Sequence, residues 1–168
     1  MELVTPALEH KQAAWEYRQE CLDCGESSIH GSSSFSEAVD YESWLAKINR
    51  NERVASPGWV TGSVYFAIVE GRIVGTVAVR HYLNDALLND GGHIGYEIRP
   101  SQRRQGYGKQ MLILALLKCR EFGIERVLIT CDKDNIASAK TAMSAGGKLE
   151  NETTGEDGGI VQRYWIGL

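Results

Sequence analysis

The spacing of apolar side chains changes period several times along the chain, and each change marks an element. Residues 2–7 are a short strand candidate. Over residues 8–24 the recurrence of Leu8, Ala14 or Trp15, Arg18 and Leu22 reads as an amphipathic helix. Residues 25–36 are rich in Gly and Ser and read as a loop. A second helix is predicted over 40–51, where Tyr41, Trp44, Leu45 and Ile48 recur at helical spacing, and Pro57-Gly58 closes the connection after it. Residues 63–69 and 72–82 are rich in Val, Ile, Thr, Phe and Tyr and are separated by Glu70-Gly71, the composition of a tight hairpin. Residues 93–99 form a third such strand, stopped by Pro100, which cannot donate to a ladder. The apolar block 111–117 fits a strand or a helix by pattern, and its Leu, Ala and Met content favours a buried helix. A short strand over 126–131 follows, then a small helix over 136–145 ended by Gly146-Gly147. A hairpin of 148–153 and 160–166, turned by Asp157-Gly158-Gly159, closes the chain. The order is βα, α, βββ, α, β, α, ββ. It predicts one α/β domain over 1–168, a sheet with helices on its faces.

The length of 168 residues suits one core. A hydrophobic share of 43% with 24% charge is that of a soluble protein, and no apolar run reaches membrane-spanning length. The N-terminus lacks the cationic and apolar pattern of a secretory signal, so a cytoplasmic location is expected. A net charge of −4 argues against nucleic acid or an anionic membrane as partner and is compatible with a cationic substrate. One stretch reverses that sign. No Asp or Glu occurs between Glu97 and Glu121, whereas Arg99, Arg103, Arg104, Lys109, Lys118 and Arg120 all do.

Within that stretch Arg103-Arg104-Gln105-Gly106-Tyr107-Gly108 lies where a strand has ended and a helix begins. Two glycines one residue apart let backbone approach a ligand closely, and the helix start offers unpaired N–H groups at its positive end. With Arg103, Arg104 and Lys109 this makes an anion site matched to a pyrophosphate. Neither the P-loop nor the dinucleotide template is met.

The segment from Ile98 to Gly108 resembles the GNAT signature V-x-P-x-x-R-x-x-G-x-G, and the order of elements is similar to that fold along nearly the whole chain. The resemblance implies a mixed, mostly antiparallel twisted sheet of about seven strands flanked by about four helices. It also implies that the fourth strand splays from the fifth, leaving a V-shaped slot. Acetyl-CoA would be the cosubstrate, with Ile98 and its neighbour Arg99 along the pantetheine arm and Arg103, Arg104, Gln105, Gly106, Tyr107, Gly108 and Lys109 around the pyrophosphate. Asn135-Ile136-Ala137-Ser138 matches a second block of the family, which makes Asn135 and Ser138 candidate contacts to the cofactor; an Asn there is also a good helix N-cap. In many members a tyrosine seven residues beyond that asparagine protonates the leaving thiolate, and here that position is Ala142. Tyr107, Tyr164 or a water could substitute, so no acid is assigned.

An amine acceptor of pKa about 10.4 is almost wholly protonated at neutral pH, so the reaction needs a base. Glu97 and His93 are four apart on the strand expected to line the slot and share a face unless a bulge intervenes, which makes them equal candidates. The implied activity is transfer of an acetyl group to a primary amine of a small molecule or protein, by direct attack in a ternary complex without a metal. A CoA-binding sensor that has lost turnover is the alternative, favoured by Ala142. Cys21-Leu22-Asp23-Cys24 has metal or redox spacing but lacks a second ligand pair and ends a helix, so neither role is expected. Trp15, Tyr17, Phe35, Trp44 and Trp59 read mainly as core, and those that are not could line an acceptor pocket. Arg80, His81, Tyr82 and Asn84 are candidates for the acceptor mouth, and the C-terminal strands with Trp165 could pair in a homodimer.

Overall fold

β-Branched and aromatic residues give the first half of the chain its sheet. In a computed structural model that describes residues 1–155 and 157–168, Glu2–Val4 (β1), Gly62–Val69 (β2), Arg72–Arg80 (β3) and Ile94–Ile98 (β4) form an antiparallel sheet in the order β1-β2-β3-β4. The turn between β2 and β3 is Glu70 at φ 48° and Gly71 at φ 74°, the paired positive φ values of a tight hairpin. Most of β2 and β3 is buried on both faces, because helices pack on each side. Arg126–Asp132 (β5), Lys148–Thr154 (β6) and Ile160–Gly167 (β7) make a second antiparallel sheet, in the order β5-β7-β6.

Among the described residues, five α-helices join these strands: Lys11–Asp23 (α1), Tyr41–Asn51 (α2), Asp85–Asn89 (α3), Tyr107–Glu121 (α4) and Ile136–Ser144 (α5). The sequence pattern foresaw four of them. α3 was missed because five residues are too few to show a period. It is fixed locally, the Asn84 side chain accepting the Leu87 N–H at 3.0 Å. The apolar block at 111–117 is helical, as its composition favoured, and lies inside the longer α4.

Two cores divide the fold. On one face of the first sheet Tyr17, Phe35, Tyr41 and Trp44 from α1, α2 and the loop between them pack on Phe66. Of the aromatics read as core, Trp15 leans on Phe35 at 5.2 Å between ring centroids, while Trp59 is 64% exposed. On the other face Met111, Leu112, Ala115 and Cys119 of α4 and Ala139 and Ala142 of α5 pack against both sheets. Cys21 and Cys24 are both free thiols, the first buried and the second exposed.

The two sheets are joined just before β4. The His93 N–H donates to Leu128 O at 2.8 Å, and the His93 Nδ1 accepts the Leu128 N–H at 2.9 Å. Beyond His93 the fourth and fifth strands share no ladder, and this divergence is the slot expected between them.

Candidate functional site

Three chain segments converge on the opening between β4 and β5: the end of β4, the start of α4 and the start of α5. The Arg99 N–H still pairs with Val74 O at 2.8 Å, and Pro100 then begins a short 3-10 turn. The backbone reverses through Arg104 at φ 61° and Gly106 at φ 80° to enter α4. Gly106 is the N-cap and offers no side chain to close the helix, and no acidic residue lies in the first turn. Among the described residues, the N–H groups of Arg104, Gln105, Gly106, Tyr107, Gly108 and Lys109 have no hydrogen-bond partner; the first amide satisfied within the helix is that of Gln110, at 3.2 Å from Gly106 O. Six consecutive free donors at the positive end of a 15-residue helix are an arrangement that can hold an anion. A side chain at Gly106 would meet no neighbour, so glycine is required there for its positive φ rather than for space. A Cβ on Gly108 would lie 3.9 Å from Ile98 and 3.8 Å from Thr141, so the first turn of α4 runs close to both β4 and α5.

The side chains around the nest divide into two groups. Arg104, Gln105 and Lys109 are exposed, and the two cations are unpaired in any ion pair among the described residues. Arg99 and Arg103 point elsewhere. Arg99 is buried, donating from Nε to Glu20 at 2.6 Å and from a terminal nitrogen to Ile73 O at 3.3 Å. Glu20 also accepts the Ser101 N–H at 2.9 Å; burial pushes its carboxyl up, and the bonds from Ser101 and Arg99 outweigh that and bring it down to about 2. Arg103 donates to Ile98 O at 3.1 Å and joins Glu26 at 2.6 Å to Glu97 at 2.7 Å. The unbroken register of β3 on β4, with Thr76 opposite Glu97 and Val79 opposite Ile94, leaves no bulge. Gly95 and Glu97 therefore face α1 and the 25–36 loop, while Ile94, Tyr96 and Ile98 face α4 and α5.

Glu97 is only 13% exposed at its side chain. Burial raises its pKa above the ordinary carboxylate value and Glu26 adds to this, with the Arg103 charge opposing. His93, the other candidate base, is 6% exposed and carries the Leu128 N–H on its Nδ1. Burial, helped by Arg80, pulls its pKa down to about 4. The two residues are not brought together at one point: His93 sits where the sheets join and Glu97 beyond the divergence.

At α5, Asn135 accepts the Ser138 N–H at 3.0 Å and is the helix N-cap, the local role its residue type favours. The Ser138 hydroxyl meets the Tyr96 phenol at 3.1 Å across the slot. Ala142 is wholly buried in the core. Of the hydroxyls considered in its place, Tyr164 is buried and donates to Gln162 at 2.8 Å, and Tyr107 is half-buried in the first turn of α4. Arg80 donates to Gly91 O at 2.6 Å and Gly92 O at 3.0 Å, His81 lies between Ser63 and Thr61, and Tyr82 is half exposed. Sequence reading passed over Tyr96 and Glu26. Strand alternation would have put Tyr96 on the α5 side, but nothing in the Gly- and Ser-rich loop marks Glu26.

Comparison with known proteins bears on the family and the fold. The model of the acetyltransferase (GNAT) domain matches residues 10–148. The chain belongs to the GNAT acetyltransferase family. Similar folds include RimL, a ribosomal L7/L12 alpha-N-protein acetyltransferase in complex with coenzyme A, at 20% identity and TM-score 0.71 over 99% of this chain and 93% of that one. MccE, the microcin C7 self-immunity acetyltransferase in complex with acetyl-CoA and AMP, gives 19% and 0.70 over 99% and 91%. A ribosomal-protein-alanine N-acetyltransferase from Brucella melitensis gives 15% and 0.66 over all of both chains. At these identities the likeness is one of fold. No curated protein matches the chain by sequence. Among the described residues no group of three or more His, Cys, Asp or Glu side chains could hold a metal, and no helix is long and apolar enough to cross a membrane.

Proposed function

We propose that the chain is one acetyltransferase domain that holds the acetyl-CoA diphosphate on the Arg104–Lys109 amides and acetylates a primary amine entering from the α1 side of β4. The observation that carries this is the run of six unpaired N–H groups beside the divergence of β4 from β5. Arg104 and Lys109 add charge at the rim, Gly106 supplies the turn, and Gln105, Tyr107 and Gly108 contribute backbone. Ile98 and Arg99 border the arm through their main chain, and Asn135 and Ser138 border it from α5.

Glu97 is the base in this reading. Its carboxylate faces the acceptor side, and its raised pKa brings it nearer to neutrality than an ordinary glutamate. His93 has its Nδ1 lone pair occupied and a pKa near 4, which suits a clamp between the sheets better than a proton acceptor. Glu97 and Glu26 flank the cation of Arg103, and an acceptor ammonium fits the same acidic surroundings. Glu97 takes the proton of the amine, directly or through water, and backbone N–H groups freed where β4 leaves β5 polarise the thioester carbonyl. The free thiols agree with a cytoplasmic setting.

The named acceptors of the similar folds span a ribosomal protein and a microcin, so both protein and small-molecule amines belong in the test. Thiol release from acetyl-CoA is measured against amino acids, polyamines, aminoglycosides and peptides with free N-termini. Release matched by acetylated product is expected with at least one class. Binding of acetyl-CoA with no release from any of them would support a sensor instead.

A further inference from the structure

We propose that Tyr96 is the hydrogen-bond donor to the departing sulfur, in the place left without a polar side chain at Ala142. The inference rests on the reading of the slot as the acetyl-CoA site. Tyr96 lies on the part of β4 that has left β5, and alternation sends its ring to the α4 and α5 side, away from Glu97. The phenol reaches α5, where it meets the Ser138 hydroxyl at 3.1 Å with the Thr141 hydroxyl beside it. Ser138 is one turn before Ala142 on α5, and its own N–H is capped by Asn135, which fixes that end of the helix. The groups around the phenol are Ser138 and Thr141 of α5, Cys131 of β5 and, through the strand, Glu97. No cation is among them. A diphosphate on the α4 amides puts the arm alongside Ile98 and then Tyr96, so the far end of the arm comes past this hydroxyl.

Burial raises the Tyr96 pKa, with the hydroxyls of α5 opposing. The group therefore stays a phenol through the neutral range and is far less acidic than a thiol, whose pKa is about 8.5. Tyr96 thus stabilises the thiolate by a hydrogen bond and keeps its proton. In the balanced step the amine nitrogen bonds the carbonyl carbon, the C–S bond breaks with its electron pair passing to sulfur, and the amine proton goes to Glu97. The Tyr96 O–H turns from Ser138 to the sulfur as charge arrives there, and the thiolate is protonated from solvent after release.

A donor that favours the charged form must lower the pKa of bound CoA thiol. The probe is CoA itself, titrated on the protein by the ultraviolet absorbance of its thiolate, with affinity measured by calorimetry. Tyr96→Phe keeps the ring, so CoA affinity is expected within about threefold of the parent, while the bound thiol pKa rises by about one unit, a tenfold loss of thiolate at a given pH. An unchanged thiol pKa in Tyr96→Phe overturns the donor role. Loss of CoA binding in that variant also overturns it, since the residue would then be a wall of the slot. Should Tyr96→Phe fail to fold, Ser138→Ala carries the test: the phenol freed from its partner is expected to lower the thiol pKa further, and no change counts against it. Failure of the parent protein to bind CoA removes the slot reading and this inference with it, which separates the two.

Discussion

The nest at the start of α4 and the acidic cluster behind it lie a few residues apart, yet they are built from different material. The nest is backbone. Its six N–H groups come from consecutive residues, and its shape follows from two positive φ values at Arg104 and Gly106. The cluster is side chains from two distant parts of the chain: Glu26 after α1, and Glu97 on β4 with Arg103 six residues later. A backbone site depends on local sequence and is hard to lose except at its glycine. A side-chain site depends on tertiary packing and can be retuned by one substitution.

Substitutions separate the two regions, beginning with the largest effect. Glu97→Gln keeps the shape of the cluster and removes the base, so turnover is expected to fall about 100-fold or more while the acetyl-CoA KM moves little. Steady-state kinetics read this, and a raised KM with turnover unchanged would mean that Glu97 serves binding. Gly106→Asp strains a position at φ 80° and sets an anion among the amides. A cost of about 3 kcal/mol, or roughly 100-fold in CoA affinity, is expected by calorimetry, with Tm shifted by a few degrees only.

His93→Leu tests the clamp. It leaves the buried Leu128 N–H without its acceptor, a loss of about 1–3 kcal/mol measurable by denaturant unfolding. It should also flatten the acid side of the stability curve. Neutral in the folded state, with a pKa pulled from 6.5 to about 4, His93 binds fewer protons than in the unfolded chain, so stability is full above pH 6.5 and falls as pH drops toward 4. The raised pKa of Glu97 acts in the opposite sense, which makes the difference between parent and variant the quantity to compare. Arg103→Met gives the smallest effect. It removes the charge that holds the Glu97 pKa down, so the acid limb of kcat/KM moves to higher pH. A limb that stays in place would detach Glu97 from that ionisation.

The same contrast explains what the sequence made legible. Gly106, Gly108 and the cations around them announce a helix N-terminus suited to an anion, because each residue acts on its immediate neighbours. The hairpin at Glu70-Gly71 and the Asn135 cap were readable for the same reason. The fate of Arg99 and Arg103 was not readable, because the carboxylates that hold them, Glu20 and Glu26, lie more than seventy residues earlier in the chain. His93 and Glu97 looked equivalent because alternation says which face a residue takes and nothing about its partners there. The carbonyl and amide of Leu128, which turn His93 into a joint between sheets, come from the other sheet. Tyr96 was passed over because its significance depends on a serine 42 residues away.

The central claim is that the donor's diphosphate sits on the backbone at the start of α4. Titrating isotopically labelled protein with CoA and following the amide resonances tests it residue by residue. The largest shifts are expected at Arg104 to Lys109, followed by those at the N-terminus of α5. Saturating CoA binding that leaves the Arg104 to Lys109 amides unmoved would contradict the account.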